Sequence, residues 1–299
     1  MSDTTPEESH SVESVSPSLH LGAVGAARST WLGPAWAALC GLIASAAFSF
    51  DMPDLLIAAF VFILADWAWP ALWTTCVRTD WLAPIVRWRD KTHPAQSIRL
   101  PYLQPGSPGD RLLNWAARVG SWWQSVFSPL AGASAASGLA ALVIALVVSA
   151  AIGWRALTLT LGVTALTAIG TLRALRVAID SDWLRSMVYG VLPWWLGHAA
   201  FAPLTVESAG MGVLFGLAYR AVMDASQGDR APSLPGLVGS QIAAALVLFG
   251  GREPVAAFTI ALMVVAQAAL RTFLVKHPFA RRAQVWLMVA MLTGAIAVA

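Results

Sequence analysis

Charge is scarce in this sequence. Only 12% of the 299 residues are Asp, Glu, Lys or Arg, about half of the roughly 25% usual in a soluble globular domain. Apolar types make up 58%, with 15 tryptophans. That balance excludes a fold surrounded by water and predicts an integral membrane protein. Lysine is almost missing, since 17 of the 19 basic residues are arginine, and the net charge is only +3. A small excess held in short loops reads as membrane topology and not as nucleic-acid binding. Cysteine is nearly missing too. Cys40 and Cys76 lie in or beside apolar runs without ligand-like spacing, so they read as small buried residues and not as a disulfide or metal pair. The Ser-, Thr-, Pro- and Glu-rich residues 1–27 lack a basic stretch ahead of the first apolar run. A disordered tail is expected there, and a cleaved signal peptide is not.

What is abundant is long apolar sequence. Runs that can cross a bilayer, about 17 to 25 residues each, lie near 31–50, 55–75, 136–153, 155–172, 184–203, 208–226, 235–250, 254–274 and 282–299. Nine helices are predicted, because runs this long and continuous cannot be barrel strands. The pair around Gly153-Trp154-Arg155 has to turn tightly.

Basic residues fall unequally between alternate loops. One side carries Arg28, seven residues from Arg78 to Arg118, then Arg173, Arg176, Arg185, Arg220, Arg230, Arg271, Lys276, Arg281 and Arg282, and the other carries Arg155 and Arg252. Seventeen against two places the N-terminus in the cytoplasm of an inner-membrane protein. The loops at 76–135 and 224–234 then share the cytoplasmic face.

The second of those loops holds the most distinctive wording, Arg220 to Gly239, RAVMDASQGDRAPSLPGLVG. Carboxylates and an arginine at the mouth of a membrane helix are costly to place and mark a polar site. QGDRAPSLPGLVG resembles the second acidic loop of the UbiA superfamily of intramembrane prenyltransferases, nearest to the chlorophyll and bacteriochlorophyll synthases. Further likeness lies in Arg28-Ser-Thr-Trp31 with Pro34 and Cys40-Gly41, in Asp90-Lys-Thr-His-Pro94 with Arg99-Leu-Pro101 and Gly106-Ser-Pro108-Gly109, in Trp183 to Gly197, and in His277-Pro278. The resemblance implies a UbiA-type bundle of nine helices over residues 28–299.

It also implies a chemistry. In that family two Asp-rich motifs hold a prenyl diphosphate through Mg²⁺ at the cytoplasmic mouth, and hard divalent cations need clustered oxygens. The candidates here for diphosphate or metal are Asp90, Asp224 and Asp229, with Arg99, Arg176 and Arg230 as anion contacts. The first motif, NDxxDxxxD, is largely gone. With Asp90 on its last position, Leu82, Ala83 and Val86 occupy the earlier ones. In the second motif Val222, Ala225 and Gln227 replace acidic or polar residues, and only Asp229 keeps register. Asp224 is one residue off, and one residue turns a helix position by about 100°.

Other polar residues stand in apolar surroundings. Asp66, mid-way along the second run near Trp67, Trp69 and Pro70, reads either as a structural hydrogen bond at a proline kink or as a ligand contact. His198 reads either as an axial ligand to a chlorin magnesium or as a satisfied intramembrane histidine. Arg173, Arg176 and Arg185 can hold a diphosphate or propionate, though topology alone puts them on that face. Trp31, Trp36, Trp81, Trp88, Trp154, Trp183 and Trp286 fit an interfacial belt. Trp115, Trp122 and Trp123 fall within 110–135, an insertion relative to the family. RLLNWAARVGSWWQSVF is expected to form an amphipathic helix on the cytoplasmic leaflet or against a partner protein.

Two functions follow from the resemblance. One is a catalytically degenerate relative of bacteriochlorophyll synthase that binds a chlorin pigment or isoprenoid and assists a photosynthetic membrane complex. The other is an active Mg²⁺-dependent prenyltransferase acting on a chlorophyllide-like or other lipid-phase acceptor. The expected surroundings are the lipid bilayer and photosynthetic-complex subunits, with no nucleic acid.

Overall fold

The structure, a computed structural model, describes residues 33–89, 104, 106–174, 181–226, 234–273 and 276–299. Among these residues the chain is helical, with no strand. The expected tail at 1–27 lies outside the described residues.

Nine helical segments follow the nine apolar runs among the described residues. They are α1 (Pro34–Ala44), α2 (52–78), α4 (Pro108–Ile152), α5 (Trp154–Ala174), α6 (181–199), α7 (Val206–Ser226), α8 (Leu234–Gly250), α9 (Pro254–Phe273) and α10 (Lys276–Val298), with a short α3 (Leu82–Arg89) between the second and third. Two helical stretches, Met52–Trp88 and Pro108–Ile152, are long and apolar enough to cross a membrane by length and composition.

Local chemistry sets the helix ends. Asp51 opens α2 by accepting from the Asp54 amide at 3.2 Å, and Asp54 in turn accepts from the Ser49 amide at 2.8 Å. Ser107 opens α4 in the same way, accepting from the Asp110 amide at 3.2 Å, with Pro108 at the first helical position, where its missing N–H costs nothing. The first run is shorter than expected. Ser45 Oγ donates to the Leu42 carbonyl at 2.6 Å, and Ala46 takes a left-handed φ of 52°, so α1 stops at Ala44. Gly153 alone joins α4 to α5, at a φ of 141° that side chains rarely adopt.

Three helices widen into a π turn, each with a proline. Ile63–Ala68 in α2 leads into Pro70, Met187–Val191 in α6 leads into Pro193, and Trp123–Gly132 in α4 contains Pro129. A helical proline donates no hydrogen bond, and its ring collides with the carbonyl four residues back. Those carbonyls belong to Asp66, Tyr189 and Ser125. The wider turn relieves the collision and redirects the side chains around it.

The 110–135 segment belongs to a longer element. It is helical, but it runs into the third span without a break, making α4 a helix of 45 residues. Its first fifteen residues, Pro108–Trp122, bury none of their side chains.

Two apolar cores share the bundle. One, from α2, α4, α5 and α6, is built on Leu64, Trp69, Val163, Val188 and Leu196. Trp69 Nε1 also donates to Thr160 Oγ1 across it at 3.3 Å. The other, from α7 to α10, is built on Met211, Phe215, Leu237, Ile260 and Leu287. Helices α1 and α6 pack closely and join the halves. Gly41 lies against the Trp194 carbonyl and Gly197 against the Ala38 carbonyl, so that a Cβ on either would overlap backbone. Outside, large apolar side chains face away from the protein, among them Leu139, Val143 and Val147 on α4 and Phe258, Leu262 and Val265 on α9.

Candidate functional site at the arginine-rich end

Successive helices run antiparallel, so the ends of α2, α5 and α7 meet the starts of α4, α6 and α8. Contacts tie that end together. Gly170 near the end of α5 faces Trp73 and Val77 near the end of α2. The Arg185 guanidinium lies over the Tyr189 ring, 5.6 Å from its centroid. The connections after α3 and after α7, where the acidic motifs lie in the sequence, therefore leave from one end of the bundle. The opposite end carries Asp51, Asp54, Arg155, Glu207, Arg252 and Glu253.

Of the residues singled out in the sequence, Asp90, Arg99, Arg176, Asp229 and Arg230 lie outside the described residues. Asp224 stands in the last turn of α7, and its side chain lies outside the description as well. Among the described residues no three His, Cys, Asp or Glu side chains converge on one point.

The positions where the family motif places acids carry something else. Asp80 accepts from the Leu82 amide at 3.0 Å and the Ala83 amide at 3.2 Å, so its carboxylate caps α3. Leu82, Ala83 and Val86 follow on that helix, with Val86 exposed. Val222 is 2% exposed and belongs to the apolar core shared by α7, α8 and α10. An aliphatic side chain turned into the core offers no oxygen to a cation or a leaving group.

Asp66 stands in the α2 π turn with its carboxylate exposed, and it makes no hydrogen bond among the described residues. A Cβ on Gly33 would sit 3.6 Å from its Oδ1, which puts this charge beside the start of α1.

His198 is 2% exposed at the opposite end. Trp194 Nε1 donates to Ser208 Oγ at 3.1 Å, the Ser208 hydroxyl is 3.0 Å from His198 Nδ1, and His198 Nε2 is 3.0 Å from the Pro203 carbonyl. A carbonyl only accepts, so Nε2 carries the proton and Nδ1 accepts from Ser208. Both ring nitrogens are engaged within the protein, and neither is presented to a pigment magnesium. Cys40 is buried, Cys76 is half-buried, and both are free thiols.

Sequence reading did not single out the polar groups that the structure gathers at the arginine-rich end. A Cβ on Gly190 would lie 3.2 Å from the Gly216 Cα and 3.8 Å from the Tyr219 side chain, so α6 and α7 pass close together beside Tyr219. A crevice of about 430 Å³ opens at the same end between α2 and α4, lined by Thr74, Thr75, Arg78, Thr79 and Asp80 on one side and Leu130 and Ser134 on the other. The Thr74, Thr75 and Thr79 hydroxyls donate one turn back, to the carbonyls of Pro70, Ala71 and Thr75, at 2.8, 2.8 and 2.6 Å. A run of hydroxyls ending in Thr74-Thr75-Cys76-Val77-Arg78-Thr79 was the only signal in the sequence.

Comparison with protein families, characterised proteins and solved structures returned no match to this chain.

Proposed function

We propose that this chain is a multi-pass helical membrane protein of UbiA-like organisation that binds a lipid-phase ligand, a chlorin pigment or an isoprenoid, without catalysing prenyl transfer. The N-terminus is cytoplasmic, and the arginine-rich end is the cytoplasmic mouth. The apolar exterior supports a bilayer as its surroundings, since side chains such as Leu139, Val143 and Phe258 would be costly to expose to water. The charge asymmetry between the two ends supports the orientation.

One observation carries the non-catalytic reading. Val222, where the family motif has an acidic or polar residue, is packed into the core, and Leu82, Ala83 and Val86 replace the Asn and both earlier Asp positions of the other motif. Removing one such charge-stabilising contact costs about 2–4 kcal/mol of transition-state stabilisation, or two to three orders of magnitude in rate. Several together leave little turnover. The ligand is held by shape and apolar contact, with His198 excluded as an axial ligand by its own hydrogen bonds.

The test is twofold. Absorption and mass spectrometry of the purified protein should find bound chlorin or isoprenoid. Transfer from geranylgeranyl or phytyl diphosphate to a chlorophyllide acceptor should be negligible with or without Mg²⁺. Robust Mg²⁺-dependent turnover, abolished by Asp229→Ala, would overturn the reading.

A further inference from the structure

The outer fifteen residues of α4, Pro108–Trp122, bury no side chain, yet their apolar residues are ordered. Leu112, Trp115, Val119 and Trp122 follow one another at spacings of three, four and three, the a and d positions of a heptad abcdefg with which one helix packs along another. The two ends of this seam differ. Nearer the bundle α3 lies on it. Trp122 Nε1 donates to the Pro84 carbonyl at 3.0 Å, the Trp88 ring meets the Trp122 ring edge-on at 5.4 Å, and Val126 just beyond is buried. Farther out, Leu112 and Trp115 are 64% and 60% exposed. The seam thus already holds one helix over part of its length and lies open over the rest.

Charge is arranged around the open part. Arg111 and Arg118, both exposed, stand one heptad apart in g positions, which flank the seam on one side. Asp110, the one carboxylate of Pro108–Trp122, falls in an f position on the far side, and it accepts from the Gly106 amide at 2.9 Å. The seam therefore has a basic flank with no acid beside it on this helix.

Length argues against lipid as the cover, on the membrane reading above. Helix α4 is unbroken over 45 residues, about 67 Å at 1.5 Å per residue, whereas a hydrocarbon layer is about 30 Å thick. Its last 20 residues, Ala133–Ile152, suffice to cross that layer, and the same helix carries the seam on beyond it. A second copy fits poorly as well. In a parallel pair the positions facing Arg111 and Arg118 are Ala116 and Trp123, neither of them an acid.

We propose that the outer seam of α4 docks an amphipathic helix of a partner protein, with an apolar stripe against Leu112, Trp115 and Val119 and carboxylates facing Arg111 and Arg118.

Two designed amphipathic peptides with the same apolar a and d residues, one with Glu and one with Lys at e and g, are the probes. Fluorescence anisotropy of each is read against full-length protein in phosphatidylcholine nanodiscs, with empty discs as blank. The Glu peptide should bind about tenfold more tightly than the Lys peptide, and Leu112→Ser/Trp115→Ser should weaken it about tenfold. Arg111→Glu/Arg118→Glu should reverse the preference, and Arg155→Glu at the opposite end should change neither. Equal binding of the two peptides, or binding that survives both double substitutions, would overturn the proposal. So would either rival cover, read on Trp115→Cys in a Cys76→Ser background. Quenching of a fluorophore there by brominated lipid would place the seam in the bilayer, and disulfide-linked dimers would place a second copy on it. Failure to enter nanodiscs would overturn the membrane reading and this proposal with it, whereas a reconstituted protein that ignores both peptides fails the docking alone.

Discussion

Gln241 on α8 and Gln267 on α9 clasp each other's amides, Nε2 of each donating to Oε1 of the other at 2.9 and 3.2 Å, and neither side chain reaches the surface. Apolar helices gain nothing from one another by leaving lipid, so a reciprocal amide pair fixes their register. Gln241→Leu alone strands the Gln267 amide and should lower stability by about 1–3 kcal/mol. The Gln241→Leu/Gln267→Leu pair should recover most of that loss. Thermal unfolding of the wild type, Gln241→Leu, Gln267→Leu and the pair in detergent gives the coupling directly, and additive losses would show that the clasp contributes nothing.

The α1–α6 crossing should tolerate no side chain at its two glycines. Gly41→Ala and Gly197→Ala each drive a methyl into a backbone carbonyl, which cannot rotate away as a side-chain tip can. Each should cost at least the ~1–3 kcal/mol of ordinary overpacking and sharply reduce folded yield. Gly162 on α5 has nothing within 4 Å of its Cβ position. Gly162→Ala should be neutral or gain up to about 1 kcal/mol from helix propensity.

Ser208 serves two partners at once. Ser208→Ala would leave Trp194 Nε1 and His198 Nδ1 buried without a partner, at about 1–3 kcal/mol for each stranded group. Ser208→Thr keeps the hydroxyl and should lose much less. Melting temperatures compare the two, and bound pigment or lipid should be the same in both. Equal stability for alanine and threonine would mean that the polar chain from Trp194 to Pro203 holds nothing together.

The outer part of α4 should lie on the same side of the membrane as the end of α7. Its apolar positions Leu112, Trp115 and Trp123 are exposed, while Trp122 is held against α3 by its Nε1 donating to the Pro84 carbonyl at 3.0 Å. In a Cys76→Ser background, an impermeant thiol reagent should reach Arg118→Cys and Ser226→Cys from one face and Arg252→Cys from the other. Labelling of Arg118→Cys from the Arg252 face would reverse the topology.

The number and order of helices were legible because span length is a one-dimensional property of the apolar runs, and Gly153 announced its turn through its lone position between two of them. Extent was less legible. Ser45 and Ala46 are compatible with helix by composition, and what ends α1 is a hydroxyl finding the Leu42 carbonyl. The continuity of α4 was not legible because the mixed apolar and basic pattern of 111–127 differs from the apolar run at 136–153, whereas a π turn at Pro129 carries the helix through. Site residues were hardest. The partner of His198 is Ser208, ten residues away on the next helix, and nothing in the spacing says that they face each other. Asp66 was visible as an intramembrane carboxylate, but its place beside Gly33 is a matter of packing. The threonine hydroxyls of the crevice looked like ordinary helix residues because each is satisfied by its own backbone.

The connections at the Arg252 end are short, seven residues before α2, one between α4 and α5, six before α7 and three before α9. In a bilayer this makes the described helices four tight hairpins followed by α10. Each hairpin need carry only a few polar groups across the apolar layer, so the protein can be laid down two helices at a time as it is synthesised. The finished molecule then shows the far compartment almost nothing but helix tips. With the arginine-rich end cytoplasmic, as proposed, a water-borne reactant or a soluble partner would approach from the side where synthesis began.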